Sequence, residues 1–206
     1  MRAEEWDERY RAAELVWGAR PNRWVERELA DLPPGRALDL ACGEGRNALW
    51  LAARGWQVSA LDFSAVALDK GRTLESSQDP AAPRVAWVHG DATSYRAGQP
   101  FDLVLLCYLH LAPTDWAAAL SCAVRALAPG GTLLVIGHDS TNIADGVGGP
   151  QDPAVLFTAA EVAADLAGAG AGAGAALVVD RAEAVHRHVD GADRPAIDAL
   201  LRAHRG

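Results

Sequence analysis

Five apolar runs, Ala37–Leu40, Val58–Asp62, Val85–His89, Phe101–Cys107 and Thr132–His138, recur along the chain, and helical patterns at Arg46–Arg54, Ala65–Ser76 and Thr114–Leu127 separate most of them. The runs at Phe101 and Thr132 are almost continuously apolar, as strands buried on both faces must be. Strands alternating with helices imply an α/β fold: a parallel sheet with right-handed crossovers and helices on both faces. Residues 92–100 are too short and too rich in turn formers for a full helix, so that crossover is reduced.

Residues 3–32 read as two short helices around a break at Trp17, Gly18 and Pro21. Trp6, Trp17 and Trp24 lie there, and Trp6 and Tyr10 are spaced to share a helix face. Two roles fit these aromatics: pinning an N-terminal helix pair to the sheet, or forming a lid over a pocket. After Asp139 comes a polar, glycine-rich loop over 140–153, long enough to serve a site. Thr158 and Glu161 form a capping box that starts a helix running to about Leu166. Gly168–Ala176 alternates Gly with Ala and reads as a flexible connector. Leu177–Val189 and Ala196–Arg202 read as a strand pair returning along the sheet edge, the second with a helical alternative.

At 206 residues the chain suits one domain. Its 27 acidic residues against 19 Lys and Arg give a net charge of −8, and no basic run offers a nucleic-acid face. Cys42, Cys107 and Cys122 are widely spaced, so neither a disulfide framework nor a metal site is expected. The first residues are charged rather than apolar, and no run is long enough to span a membrane. A cytoplasmic location is expected, with a small molecule as partner and neither membrane nor nucleic acid. Oligomeric state leaves no mark on the sequence.

Chemistry concentrates at the carboxyl ends of the strands, where open α/β sheets bind ligands. In ALDLACGEGRNALWLAA, residues 37–53, a strand leads through Gly43 and Gly45 into a helix. Such a turn serves dinucleotides and S-adenosylmethionine alike. The next tips are Asp62-Phe63-Ser64, Gly90-Asp91-Ala92, Cys107-Tyr108-Leu109-His110 and His138-Asp139. Asp62 follows Asp39 at the spacing of an acid that accepts from ribose hydroxyls, and Asp91 is placed to accept from an adenine amino group. Asp39 precedes the glycines, where it would repel a pyrophosphate but attract a ligand carrying an ammonium and a sulfonium. That polarity favours S-adenosylmethionine over NAD. His110 and His138 sit where a general base belongs. Cys107 lies inside an apolar strand and reads as structural.

The segments LDLACGEGRNALWLA, VSALDFS, VHGDAT, FDLVLLCYLHL and LAPGGTLLVIGHD resemble, in order, the motifs of class I S-adenosylmethionine-dependent methyltransferases. The resemblance covers residues 36–140, the opening WDERY extends it, and it is nearest to the small tellurite-resistance and thiopurine methyltransferase-like groups. It implies a Rossmann-like seven-stranded sheet, mostly parallel with a C-terminal antiparallel strand. Within a single domain over 1–206, residues 1–32 would be a helical lid, 36–140 the cofactor core, and 141–206 a substrate loop and C-terminal strands. Asp39, Ala41 and the Cys42–Gly45 backbone would hold the methionine moiety, with Arg46 and Asn47 opening the following helix. Asp62 would take the ribose, Phe63 and Ser64 would lie beside the adenosine, Gly90, Asp91 and Ala92 would meet the adenine edge, and Cys107 would offer backbone near the methionine. Trp17, Tyr108 and His110 would face the substrate, with His110 and His138 as catalytic candidates. One position departs from the family: Ala41 stands where the first of three alternating glycines is usual. The implied activity is direct in-line methyl transfer to a small molecule. An NAD-type oxidoreductase and a non-catalytic S-adenosylmethionine-binding protein are the alternatives.

Overall fold

The computed structural model describes residues 3–77, 81 and 83–206. Two N-terminal helices, α1 (Ala3–Arg11) and α2 (Arg23–Leu29), precede the alternation expected from the sequence. It runs β1 (Arg36–Leu40), α3 (Arg46–Ala53), β2 (Gln57–Asp62), α4 (Ala65–Ser76), β3 (Ala86–His89), β4 (Phe101–Cys107), α5 (Pro113–Ala126) and β5 (Leu127–His138). The short α6 (Asn142–Asp145), α7 (Ala159–Ala173), β6 (Leu177–Arg187) and β7 (Ala196–Arg205) complete the chain.

The seven strands form one sheet in the order β3-β2-β1-β4-β5-β7-β6. The first five strands pair in parallel, and β7 runs antiparallel to both β5 and β6. Alternate side chains of each inner strand feed two cores. Leu38, Val104, Leu106 and Val135 pack with α5 and α7, whereas Ala37, Leu103, Leu105 and Ile136 pack with α2, α3 and the residues beside them. Order reverses between β1 and β4, so the carboxyl ends of those two strands flank the crevice in which this fold class binds ligands.

The C-terminal strand pair lies along the sheet edge as expected, with β7 between β5 and β6 and β6 outermost. One expectation changes. Gly168–Ala176 is not a flexible connector, because α7 continues to Ala173 and ends on Gly174 in the left-handed conformation (φ 63°). The alanines supply helix propensity. Gly170 is buried so tightly that a Cβ there would lie 2.8 Å from the Ala175 carbonyl oxygen and 3.3 Å from Leu177. Small residues are therefore what let this turn approach the chain leading into β6.

Candidate active site

The turn between β1 and α3 is a zigzag. Ala41, Gly43 and Gly45 have φ of 66°, 57° and 78°, so every second residue is left-handed. The turn uses most of its own N–H groups, the Gly45 N–H donating to the Cys42 carbonyl at 3.0 Å. The Cys42 N–H donates to the Leu61 carbonyl at 2.9 Å and the Gly43 N–H to Asp62 Oδ2 at 2.8 Å, tying the turn to β2. Ala41 adopts this geometry despite its Cβ, at a cost of about 1–2 kcal/mol.

Asp39 and Asp62 are both buried here, at 1% and 4% exposure. Neither oxygen of Asp39 has a side-chain partner. Burial, reinforced by the charge of Asp62 and opposed by Arg46 and the Ala48 backbone N–H of α3, pushes its carboxyl up to about 7. Asp62 is also pushed up by burial, against hydrogen bonds from the Ser64 and Gly43 backbone that hold it down. Asp91 is exposed at the tip of β3 and accepts from the Thr93 N–H and hydroxyl, both at 2.8 Å. Phe63 is half-buried, while Ala92 is buried beside Gly90.

The N-terminal segment covers the turn, and its anchor is a residue the sequence reading passed over. Glu44, 2% exposed between the two glycines, accepts from the Val16 N–H at 2.9 Å and the Trp17 N–H at 3.3 Å, and pairs with Lys70 at 3.3 Å. Lys70 also donates to the Tyr10 and Ala13 carbonyls. A Cβ on Gly43 would lie 2.8 Å from the Tyr10 hydroxyl, so that ring rests directly on the turn. Asn47 accepts from the Asn22 N–H at 2.8 Å and Ser64 donates to Asp7, so both side chains hold the N-terminal segment. Arg46 donates to the Trp17 carbonyl at 3.2 Å, and Trp17 stands at the rim with 41% exposure.

At the tips of β4 and β5 lies a second cluster. Tyr108 has φ 58°, unusual for an aromatic residue and a sign of a constrained position. Its ring is 4.9 Å from that of His138, and the His110 and His138 rings stack at 5.4 Å. His110 Nε2 accepts the His138 backbone N–H at 3.0 Å, and burial pushes the ring down to about 4, with His138 adding to that shift. Cys107 is half-buried, and desolvation pushes its thiol up to about 12, far from the thiolate a nucleophile needs. The loop over 140–153 closes on the cluster, since a Cβ on Gly149 would lie 2.7 Å from the His138 ring. Asn142, 1% exposed, shapes that loop by accepting from the Ile197 N–H at 2.7 Å and donating to the Gly148 carbonyl at 2.8 Å.

Beneath the cluster is Asp198 of β7, fully buried and absent from the sequence expectations. Its Oδ2 accepts from Trp24 Nε1 and Arg187 Nε, each at 3.0 Å. Its Oδ1 lies 3.3 Å from His138 Nδ1, out of line for a full hydrogen bond. Burial pushes its carboxyl up, but His138, Arg187 and Trp24 outweigh it and hold the group below the ordinary carboxylate range.

Residues 37–131 match the family described as a methyltransferase domain. Over that stretch the chain carries a methyltransferase domain. The full fold agrees: the structure superposes on the N-methyltransferase NodS of Bradyrhizobium japonicum, solved with S-adenosyl-L-homocysteine, with a TM-score of 0.72 and 17% identity over 98% of each chain. In sequence the chain is 33% identical to YqeM of Bacillus subtilis, whose name is that of a putative methyltransferase, over 140 residues, 64% of this chain and 54% of that protein. It is 30% identical to thiocyanate methyltransferase 1 of Arabidopsis thaliana over 137 residues, 66% of this chain and 59% of that one. The chain thus spans about half the length of these relatives. Class I methyltransferases use S-adenosylmethionine, and the residues present fit it. A buried carboxylate at Asp39 suits an ammonium group, and the glycines of the turn beside it let a ligand approach the backbone closely.

Proposed function

We propose that this chain transfers a methyl group from S-adenosylmethionine to a small-molecule acceptor. The observation that carries the reading is Asp39: a buried acid with no side-chain partner, beside a glycine turn that a ligand can approach closely. The acid would take the ammonium at the methionine end of that cofactor. A pyrophosphate would place negative charge against Asp39 instead. When bound, the sulfonium supplies an activated methyl group and an electrically neutral leaving group. Asp62 and Phe63 would hold the ribose and flank the adenine, with Asp91 at the amino edge.

The acceptor would enter between Tyr108, His138 and the 140–153 loop, with Trp17 at the rim. His138 is the better base of the two histidines. Its side chain is 13% exposed, and no described residue hydrogen-bonds its Nε2. His110 already uses Nε2 to accept a backbone N–H, so it forms the wall against which His138 stacks. Where the acceptor is an O–H, N–H or S–H group, His138 Nε2 takes its proton as the nucleophile is released. Positioning does most of the remaining work. The names of two relatives, demethylmenaquinone methyltransferase of Clavibacter sepedonicus and thiocyanate methyltransferase, carry acceptors of different chemistry. The acceptor of this chain is therefore left to its own pocket.

The test is a turnover screen with methyl-labelled S-adenosylmethionine over phenols, thiols, heteroaromatic amines and oxyanions such as tellurite. Label in one acceptor class, with stoichiometric S-adenosylhomocysteine, is the expected result. Stabilisation by NADH and none by S-adenosylhomocysteine would overturn the assignment.

A further inference from the structure

The geometry points to Asp198 as a positioning residue: it fixes His138 in the tautomer protonated at Nδ1, so that Nε2 presents its lone pair to the acceptor. The inference rests on the proposed function only for the use of Nε2; the tautomer itself follows from contacts within the chain.

The pairing begins with register. His138 on β5 and Asp198 on β7 stand directly opposite each other in an antiparallel pair, which brings cross-strand side chains together. This exists only because β7 inserts between β5 and β6. The His138 ring is confined on both sides, by the stacked His110 ring at an interplanar angle of 16° and by Gly149. Only its two nitrogens have freedom of role. Nδ1 is buried with no hydrogen-bonding partner and lies 3.3 Å from Asp198 Oδ1.

An ionised carboxylate can only accept. Asp198 is held in that form by donors from two other elements, Trp24 of α2 and Arg187 of β6. A nitrogen facing Oδ1 must therefore carry hydrogen. In the other tautomer the Nδ1 lone pair would face the carboxylate lone pairs, and the single proton of the buried Tyr108 hydroxyl beside Asp198 could satisfy at most one of the two groups. The groups facing the His138 ring are thus Tyr108 and His110 from the β4 tip, Asp198 from β7, and the glycine of the loop. Arg187 neutralises the far side of Asp198 without reaching Nδ1.

The same contacts predict what an amide does in this place. In Asp198→Asn, Trp24 and Arg187 both donate to one atom position, so the amide oxygen must occupy it. The amide nitrogen then faces His138 and donates, and Nδ1 must become the acceptor. The substitution preserves shape and inverts the tautomer.

The experiment is long-range proton–nitrogen NMR of the full chain with labelled histidine at neutral pH, the His138 signals being assigned by their loss in His138→Gln. In the wild type we expect a protonated-type shift at Nδ1 and a lone-pair-type shift at Nε2, and in Asp198→Asn the two exchanged, with a tenfold or greater change in tautomer ratio. Wild-type His138 protonated at Nε2 would overturn the inference even if Asp198→Asn fails to fold. So would a folded Asp198→Asn variant with an unchanged tautomer. Neither methyl donor nor acceptor is needed, so this result and the turnover screen fail independently.

Discussion

Two buried aspartates stand on opposite sides of the crevice and show opposite electrostatics. Asp39, on β1, has no side-chain partner, and its carboxyl is pushed up to about 7. Asp198, on β7, is held below the usual carboxylate range by two donors and a histidine. Both are equally removed from water, so burial alone does not distinguish them. The difference is whether the fold supplies the counter-charge. At Asp198 it does, and the acid serves the protein's own histidine. At Asp39 Arg46 and the Ala48 N–H offset burial only in part, and the proposed cofactor would bring the cation.

The strongest challenge to this contrast is Asp62→Ala on the cofactor side. It removes the acceptor of the Gly43 and Ser64 N–H groups and the expected ribose contact. Affinity for S-adenosylhomocysteine should fall by about 100-fold or more, since hydrogen bonds to a charged group are worth about 1.5–3 kcal/mol each. Calorimetric titration reads it, and wild-type affinity would break the assignment. On the opposite side, Trp24→Phe removes one donor from Asp198. Denaturant unfolding should show a loss of about 1–2 kcal/mol with S-adenosylhomocysteine affinity unchanged. A matching loss of affinity would mean the two sides are not separable. The smallest effect belongs to Ala41→Gly. Releasing a left-handed alanine should raise stability by roughly 0.5–1 kcal/mol after the greater unfolded-state freedom of glycine is counted. A drop in unfolding midpoint would show that the Ala41 methyl is needed where it is.

The proposed cofactor side is legible in the chain because its signals are local. Asp39, the glycines and the following helix lie within one short stretch, and Asp62 and Asp91 each end an apolar run. Even the one irregular position, Ala41, resolves into the first left-handed residue of the zigzag. The acceptor side was half legible. His110 and His138 announced themselves as strand tips, but nothing local in AIDALLRAHR marks Asp198, whose role depends on which strand becomes its neighbour. Glu44 escaped for the same reason, since its partners are the Val16 and Trp17 N–H groups and Lys70. The Gly/Ala run was misread because composition alone does not reveal that Gly170 packs against the Ala175 carbonyl and Leu177.

Asp39 is the residue on which the contrast turns, and Asp39→Asn tests it in two directions at once. A carboxyl pushed up to about 7 in the fold, against an ordinary 3.8, costs stability as pH rises from about 4 and reaches the full cost above about 7. Below about 7, a cationic ligand must therefore expel a proton to bind, so wild-type affinity for S-adenosylhomocysteine should climb between pH 6 and 7 and then level. In Asp39→Asn at pH 8 the unfolding free energy should rise by about 1–2 kcal/mol, while affinity falls about tenfold or more and loses its pH dependence. Stability and affinity moving in opposite directions is the predicted result. An affinity unchanged by the substitution, or a variant less stable than the wild type at pH 8, would contradict it.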